Sequence, residues 1–309
     1  MQVSVVVATH AMARYPALRE AVESVLEQSH EPVELVVVVD GTEAVARRAE
    51  QEFGNHANVR IHCLPDNRGV SATRTRGAEL ATGEVVAFLD DDAIAEPDWI
   101  ERLVAAYDDH DALAVGGRMI GDWRGGRPWY LPTEFDWLVG VTYPDFAEAG
   151  AEVRNTFESN LSVRRDVFLE LGGFDPDLGP TADRYRHGEG AAFGDRLRAE
   201  YDRGVVYAPD AVVAHTVFEY RTRPWFLALR AFQQGTSKRR LDRSSEGPTG
   251  TDSTERNYLG WLIRDRVPRR LRRIVESASV RTLGELLALA LLTVIVGLGY
   301  LWGWLEELG

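Results

Sequence analysis

Three consecutive carboxylates, Asp90, Asp91 and Asp92, follow the segment Glu84-Val-Val-Ala-Phe-Leu89. Carboxylates this close repel one another unless a cation neutralises them. Oxygen ligands suit Mn²⁺ or Mg²⁺, and Mg²⁺ is commonly held by one or two carboxylates together with substrate phosphates. A cation there could bridge to a diphosphate and stabilise its departure. An acidic turn is the bland alternative, and the position straight after a strand favours the metal. Asp40 and Asp66 also close apolar segments. Either could accept a hydrogen bond from a nucleobase N–H or a ribose hydroxyl. Taken singly, each reads better as a turn or helix-cap residue. No Gly-x-Gly-x-x-Gly follows the first strand and no Gly-Lys-Ser/Thr loop is present, which weakens a dinucleotide or P-loop reading.

The elements that must position these residues alternate. Val3–Thr9 and Val33–Val39 are continuous β-branched runs, as strands buried on both faces are. Residues 59–64 and 84–89 predict two more strands. Helical periodicity covers residues 16–29, 42–53, 70–81 and 97–107. This order predicts an α/β fold, a parallel sheet with helices on both faces. Ligands bind such sheets at the carboxyl ends of the strands. Thr9, Asp40, Asp66 and Asp90–Asp92 all fall there. The middle is less regular: Gly116-Gly117, Gly121, Gly125-Gly126 and several prolines read as loops and short strands up to about residue 155. Helices are expected over 164–171 and 192–203, then a strand at 205–207 and an apolar run at 211–214. An arginine-rich helix over 224–243 and a loop over 244–253 complete this part.

The ordered set of segments resembles a known family. Val3–Thr9, Asp40-Gly41, Asp66-Asn-Arg-Gly69, Ala72-Thr-Arg-Thr-Arg-Gly77 and Phe88-Leu-Asp-Asp-Asp92 look like an inverting family 2 glycosyltransferase of the GT-A fold. Asn160-Leu-Ser-Val-Arg-Arg-Asp166, Gly172-Gly-Phe-Asp175 and the segment Val206–His215 match its later landmarks in the same order. The resemblance covers roughly residues 1–218. It implies a GT-A nucleotide-diphospho-sugar transferase, a mostly parallel sheet flanked by helices. It implies that Asp40 and Asp66 hold the nucleotide through uracil and ribose, and that Thr9 lines the pocket. Asp90 would touch the ribose and Asp92 the metal, with Asp91 between them sharing the role. His215 would meet the metal or the diphosphate; as a bland alternative it is a buried strand-end histidine. One departure stands out. The family usually carries Glu-Asp after Gly-Gly-Phe-Asp, and that Asp is the general base. Here the stretch reads His187-Gly-Glu189-Gly190, and Gly190 falls at the Asp position. Glu189 is the nearest carboxylate and the first candidate base, with one more methylene than Asp to reach a hydroxyl; Asp183 is the second. The alternative for Glu189 is a helix cap.

The whole-chain balance bears on partners. The 309 residues carry 35 Lys+Arg against 48 Asp+Glu, a net charge of −13, and Lys238 is the one lysine. That charge argues against a nucleic-acid partner, which needs a basic face. Acidity with arginine in place of lysine suits a high-salt interior, where a carboxylate-rich surface stays hydrated; a GC-rich genome is the plain alternative. A single cysteine, Cys63, excludes an internal disulfide and a Cys-cluster metal site. Gln2–Ala8 lacks a basic leader and does not read as a signal peptide.

From Leu286 to Leu305 there is no charged residue, and at 1.5 Å per residue this run spans about 30 Å, a bilayer's hydrocarbon thickness. Trp302 and Trp304 lie near one end, and seven arginines crowd residues 264–281 beside the other. The expectation is a catalytic domain over 1–218, a helical arginine-rich juxtamembrane region over 219–281 and a transmembrane helix over 284–305. The protein would be single-pass in the cell membrane with its catalytic domain cytoplasmic. Within the family this combination resembles haloarchaeal enzymes of protein (S-layer) N-glycosylation, above all the glucosyl-dolichyl phosphate glucuronosyltransferases. The resemblance implies a UDP-sugar donor, UDP-glucuronate, and a dolichyl-phosphate-linked sugar acceptor. Two alternatives stay open: another membrane-bound family 2 enzyme acting on polysaccharide, protein or another lipid-linked glycan, and a non-catalytic nucleotide-sugar-binding scaffold, which Gly190 motivates.

Overall fold

The computed structural model describes residues 1–179, 188–244, 251–277 and 280–306. The β-branched runs form strands and the periodic segments form helices. In chain order these are β1 (Val3–Thr9), α1 (Tyr15–Leu26), β2 (Val33–Val39), α2 (Glu43–Phe53), β3 (Val59–Cys63), α3 (Val70–Leu80), β4 (Val85–Asp90), β5 (Ala93–Ala95) and α4 (Trp99–His110). Then come β6 (Ala114–Trp123), β7 (Glu152–Val153), β8 (Leu161–Arg164), α5 (Arg165–Glu170), α6 (Glu189–Tyr201) and β9 (Val205–Val217). The helices α7 (Pro224–Ser244), α8 (Thr251–Trp261), α9 (Val267–Ser277) and α10 (Val280–Glu306) follow.

One sheet runs in the order β3-β2-β1-β4-β8-β6-β9-β5, with β7 beside β9. The first four strands in that order are parallel. Beyond β4 the pairings β4–β8, β6–β8, β5–β9 and β7–β9 are antiparallel. The parallel sheet expected from strand–helix alternation therefore describes half of the observed sheet. The alternation stops after α4: β6, β7 and β8 follow one another with no α-helix between them, as antiparallel pairing permits, and α5 and α6 then lie between β8 and β9. Both faces of the parallel half are covered. Val5, Val37 and Leu89 meet α1, α2 and α4 through residues such as Leu18, Val45 and Leu103. Val6, Val36 and Phe88 point the other way, toward Ala78, Phe168 and Phe193. Period-2 alternation sends neighbouring valines of one strand into opposite cores.

The glycine-rich middle is not mainly loop. Gly116, Gly117 and Gly121 lie inside the ten-residue β6. A Cβ on Gly116 would overlap the Thr156 side chain, and one on Gly117 would overlap the Ala211 carbonyl and lie 2.5 Å from Asn160 Nδ2. The glycines permit close approach of neighbouring groups within a strand. Likewise, residues 205–217 form one continuous strand rather than a short strand and a separate run.

The chain divides into two compact units, Met1–Ile120 with Ala147–Thr216, and Gly121–Phe146 with Val217–Gly309. In the second, Phe135, Leu138, Leu227, Leu262, Leu289 and Leu292 share a core. A π-helical turn, Leu262–Arg266, separates α8 from α9. Arg270 donates to both carboxylate oxygens of Glu134, at 3.0 and 2.6 Å, and to Glu285 at 2.5 Å. This arginine, one of the seven beside the apolar run, is thus buried in an ion-pair triad rather than left for headgroups. α10 is 27 residues long and contains an 18-residue stretch with a mean hydropathy of 2.2, sufficient in length and composition to cross a membrane. It packs on α7 where Gly299 passes the Phe232 backbone; a Cβ there would lie 2.9 Å from the Phe232 carbonyl carbon. Leu287, Leu291, Val294, Leu298, Leu301 and Leu305 remain more than half exposed. Of the loop expected over 244–253, Ser244 ends α7 and Thr251 opens α8, while 245–250 lie outside the described residues.

Candidate active site

Register brings the candidate residues to one edge. Thr9 pairs Val39, the residue before Asp40, and Ala8 pairs Asp90. Asp91 and Asp92 form the turn from β4 into β5, and β5 pairs β9 so that Ala93 faces His215. The Thr216 N–H donates to the Asp92 carbonyl at 2.8 Å, tying that turn to β9. Ligand atoms of Asp90, Asp92 and His215 accordingly lie within 4.8 Å of one another. Asp92 is 3% exposed and His215 6%. Nε2 of His215 is 3.5 Å from Asp92 Oδ1. Two carboxylates and an imidazole converging from three strand ends fit a divalent ion such as Mn²⁺ or Mg²⁺. Asp91 stands behind them. Its Oδ2 accepts a hydrogen bond from Thr9 Oγ1 at 2.7 Å. Burial pushes its carboxyl up to about 7, opposed by the Arg14 guanidinium and reinforced by Asp92.

Arg14 comes from the short turn Met12–Arg14 after β1. Its Nε lies 3.3 Å from Asp91 Oδ1, and its Nη2 pairs with Asp92. The repulsion among three carboxylates is thus partly met by protein cations: Arg14 on one side and Arg74, paired with Asp90, on the other.

Asp40 is buried, and both its oxygens are engaged. Oδ1 accepts the Arg68 N–H at 2.7 Å and Oδ2 the Gly69 N–H at 2.9 Å. Gly69 has φ of +86°, the left-handed region that favours glycine, and it starts α3. A Cβ on Gly41 would lie 2.7 Å from the Asp66 carbonyl carbon, so the loop carrying Asp66 passes directly over the end of β2. Asp66 itself is exposed at that loop. The structure therefore brings Thr9, Asp40, Asp66, Asp90, Asp91, Asp92 and His215 to the carboxyl edge of the sheet.

A second acidic group lies beside them. Arg74, buried on α3, reaches Glu189 Oε1 with Nη1 at 3.6 Å while its Nη2 pairs with Asp90. Burial works against the Arg74 charge, but Asp90, Glu158 and Glu189 outweigh it and raise its pKa. Glu189 opens α6 and is 3% exposed. Its Oε2 accepts the Gly188 N–H at 3.1 Å, so the capping role is present as well. Burial and the neighbouring Glu158 push its carboxyl up to about 8, against the pull of Arg74. Burial likewise raises Glu158. Asp183, the second candidate base, lies outside the described residues.

Three charged residues of this edge escaped the sequence reading. Arg74 carried a faint signal: it falls on the same helical face as Gly77 and Ala78, which lie against the sheet. Arg14 and Glu158 carried none, since nothing in their neighbourhoods separates them from the many exposed arginines and glutamates.

Comparison with known proteins agrees with this geometry. Residues 4–172 match the family "Glycosyl transferase family 2". The glucosyl-dolichyl phosphate glucuronosyltransferase of Haloferax volcanii is 46% identical over 304 residues, covering 98% of this chain and 96% of that enzyme. Among solved structures, the mannosyltransferase PcManGT from Pyrobaculum calidifontis, in complex with GDP-Man and Mn²⁺, superposes with a TM-score of 0.61 at 20% identity, over 97% of this chain and 87% of that one. TarS 1–349 of S. aureus in complex with UDP gives 0.56 at 19% identity, over 91% and 76% of the two chains. At these identities the structural likenesses show the fold, a GT-A arrangement.

Proposed function

The chain belongs to glycosyl transferase family 2 and is a glycosyltransferase, and from this premise we propose that it transfers glucuronic acid, with inversion, from UDP-glucuronate to a dolichyl-phosphate-linked glucose in protein (S-layer) N-glycosylation. The observation that carries the activity is the convergence of Asp90, Asp92 and His215 beside a buried carboxylate, Glu189. Donor and acceptor rest on the full-length similarity to the Haloferax volcanii enzyme, whose name states a glucuronosyl transfer to glucosyl-dolichyl phosphate.

In this reading Asp40, Asp66 and Thr9 frame the nucleotide, and Asp90 meets the ribose. Asp92 and His215, with Asp90 at hand, would hold a divalent Mn²⁺ or Mg²⁺ ion, which supplies positive charge against the departing diphosphate. Asp91, tied to Thr9 and Arg14, keeps the turn in place. The acceptor hydroxyl gives its proton to Glu189 as its oxygen attacks the anomeric carbon from the face opposite UDP. The bond between that carbon and the diphosphate oxygen breaks, and UDP leaves with the electron pair. Asp183 is the second candidate for the base. α10 anchors the protein in the cell membrane as a single span. The arginine-bearing segment before it stays with the catalytic part on the cytoplasmic side, where anionic headgroups attract it.

The test is direct. Membranes carrying the full chain are incubated with radiolabelled UDP-glucuronate, Mn²⁺ and glucosyl-phosphodolichol. Label should enter the lipid fraction. Product from another UDP-sugar, with none from UDP-glucuronate, would refute the donor assignment.

A further inference from the structure

We propose that Glu158 is a second catalytic carboxylate of the acceptor site, its side chain occupying the space that a side chain at position 190 would fill. The inference rests on the glycosyltransferase reading and adds a residue to the base that reading assigns to Glu189.

Glu158 begins a single 3₁₀ turn, Glu158–Asn160, just before β8. That turn is held on every side. The Ser159 hydroxyl accepts the Asp90 N–H at 3.0 Å. The fully buried Asn160 accepts from Trp99 Nε1 at 2.8 Å and donates to the carbonyls of Arg118 at 3.1 Å and Ala211 at 2.9 Å. Glu158 is therefore delivered to its place by a pinned backbone tied directly to the Asp90–Asp92 turn. Its Oε1 accepts the Gly190 N–H at 3.0 Å.

The decisive geometry is at Gly190. A Cβ there would overlap Glu158 Oε1 and lie 2.8 Å from Cδ and 3.1 Å from Cγ. The Glu158 carboxylate stands where a side chain at position 190 would project, so any such side chain would have to displace it. Position 190 contributes no carboxylate, yet a carboxylate is present there, delivered from a different element. Glu158 is also partly exposed, whereas Glu189 is 3% exposed. A proton acceptor must reach the hydroxyl it deprotonates, and of the two residues Glu158 is the less buried.

The two carboxyls are built as a pair. Each accepts a backbone N–H at the first turn of α6, where unpaired N–H groups favour negative charge. Arg74 serves both electrostatically and also pairs with Asp90. Two buried polar atoms beside the pair, Ser71 Oγ and Arg74 Nε, have no hydrogen-bond partner among the described residues. A Cβ on Gly179 would overlap that Ser71 hydroxyl and lie 3.7 Å from Glu189 Cδ, which sets the hydroxyl beside the pair. In the reaction the acceptor O–H bond breaks as its oxygen bonds to the anomeric carbon. The proton passes to the carboxyl pair through Glu158, and the electron pair of the broken glycosyl bond leaves on UDP.

Variants of the full-length protein are assayed with the donor and acceptor pair that the unaltered chain turns over, with UDP binding and thermal melting as controls of folding. Glu158→Gln is expected to lower kcat by roughly 10²-fold or more, the scale of a lost acid–base group, with UDP affinity nearly unchanged. Gly190→Asp alone should also lose turnover, because its carboxylate collides with that of Glu158. The combined Glu158→Ala/Gly190→Asp variant should recover at least about tenfold over Glu158→Ala, a rescue that a purely structural role would not produce. Glu158→Gln turning over normally overturns the proposal; if Glu189→Gln is then inactive, Glu189 stands as sole base. A folded, UDP-binding double variant no better than Glu158→Ala also overturns it. An inactive Glu158→Gln with an active Glu189→Gln refutes the Glu189 assignment and leaves Glu158 in place.

Discussion

On the proposed function Asp92 is central to the donor site, because it meets both His215 and Arg14. Asp92→Ala should lower kcat by about 10²-fold or more, the scale found when one electrostatic stabiliser is removed. Chelation by EDTA should abolish turnover by the unaltered protein, and added Mn²⁺ or Mg²⁺ should restore it there but not in the variant; unchanged activity in EDTA would refute the ion site. Glu189 gives a second prediction, with a definite sign. Its folded carboxyl is raised from the ordinary 4.5 to about 8 by burial and Glu158. The folded state therefore binds a proton that the unfolded state releases, and the stability this contributes is present below about 4.5 and lost as pH rises through about 8. Glu189→Gln cannot ionise, so its melting temperature should gain on that of the unaltered protein between pH 5 and pH 9, measured in parallel scans. The strand-end carboxylates were legible in the sequence because β-branched runs announce where strands stop. Arg14, Arg74 and Glu158 were not, because the burial of a charged residue is decided by the opposite charge it meets from a distant segment.

Elements were easiest to read where local signal and tertiary demand agree, as in β1, β2 and β4, each mostly apolar and buried over most of its length. β6 misled because glycine reads locally as a breaker, while the value of Gly116 and Gly117 lies in contacts with residues 40 or more positions away. Gly117→Val tests this: its branched side chain would meet the Ala211 carbonyl and Asn160, and it should destabilise the protein by about 1–3 kcal/mol or more in urea unfolding. A neutral result would mean that β6 can shift to make room. The α10 stripe makes another prediction. Leu291 and Leu298 are 60% and 53% exposed on the face turned away from α7. Arginine at the centre of a membrane helix costs about 2.5–3.5 kcal/mol. Leu291→Arg with Leu298→Arg should thus shift the protein from the carbonate-resistant membrane pellet toward the wash; full retention would show that this face does not contact lipid.

At the scale of the whole molecule, the net charge of −13 coexists with a dense set of ion pairs on helix surfaces, such as Arg19–Glu23, Arg47–Glu43 and Arg102–Asp98. Exposed pairs of this kind each contribute little, while the summed acidic charge repels itself over distances that low salt leaves unscreened. Thermal melting in KCl should therefore rise steeply from millimolar to molar salt. A melting temperature independent of salt would remove the argument for adaptation to a saline interior and leave codon usage as the explanation for the missing lysines.

Asp40 has a consequence of its own. Its carboxylate, gripping the two backbone N–H groups of Arg68 and Gly69, holds the loop from β3 to α3 in shape through the protein's own hydrogen bonds. On the proposed function, a donor binding at this edge would meet a loop that Asp40 already ties down, and less of its binding energy would go into ordering that segment. Calorimetry should register this as UDP binding without a large entropic penalty. Asp40→Ala should convert it into weaker binding with a more unfavourable entropy, even if the aspartate never touches the base.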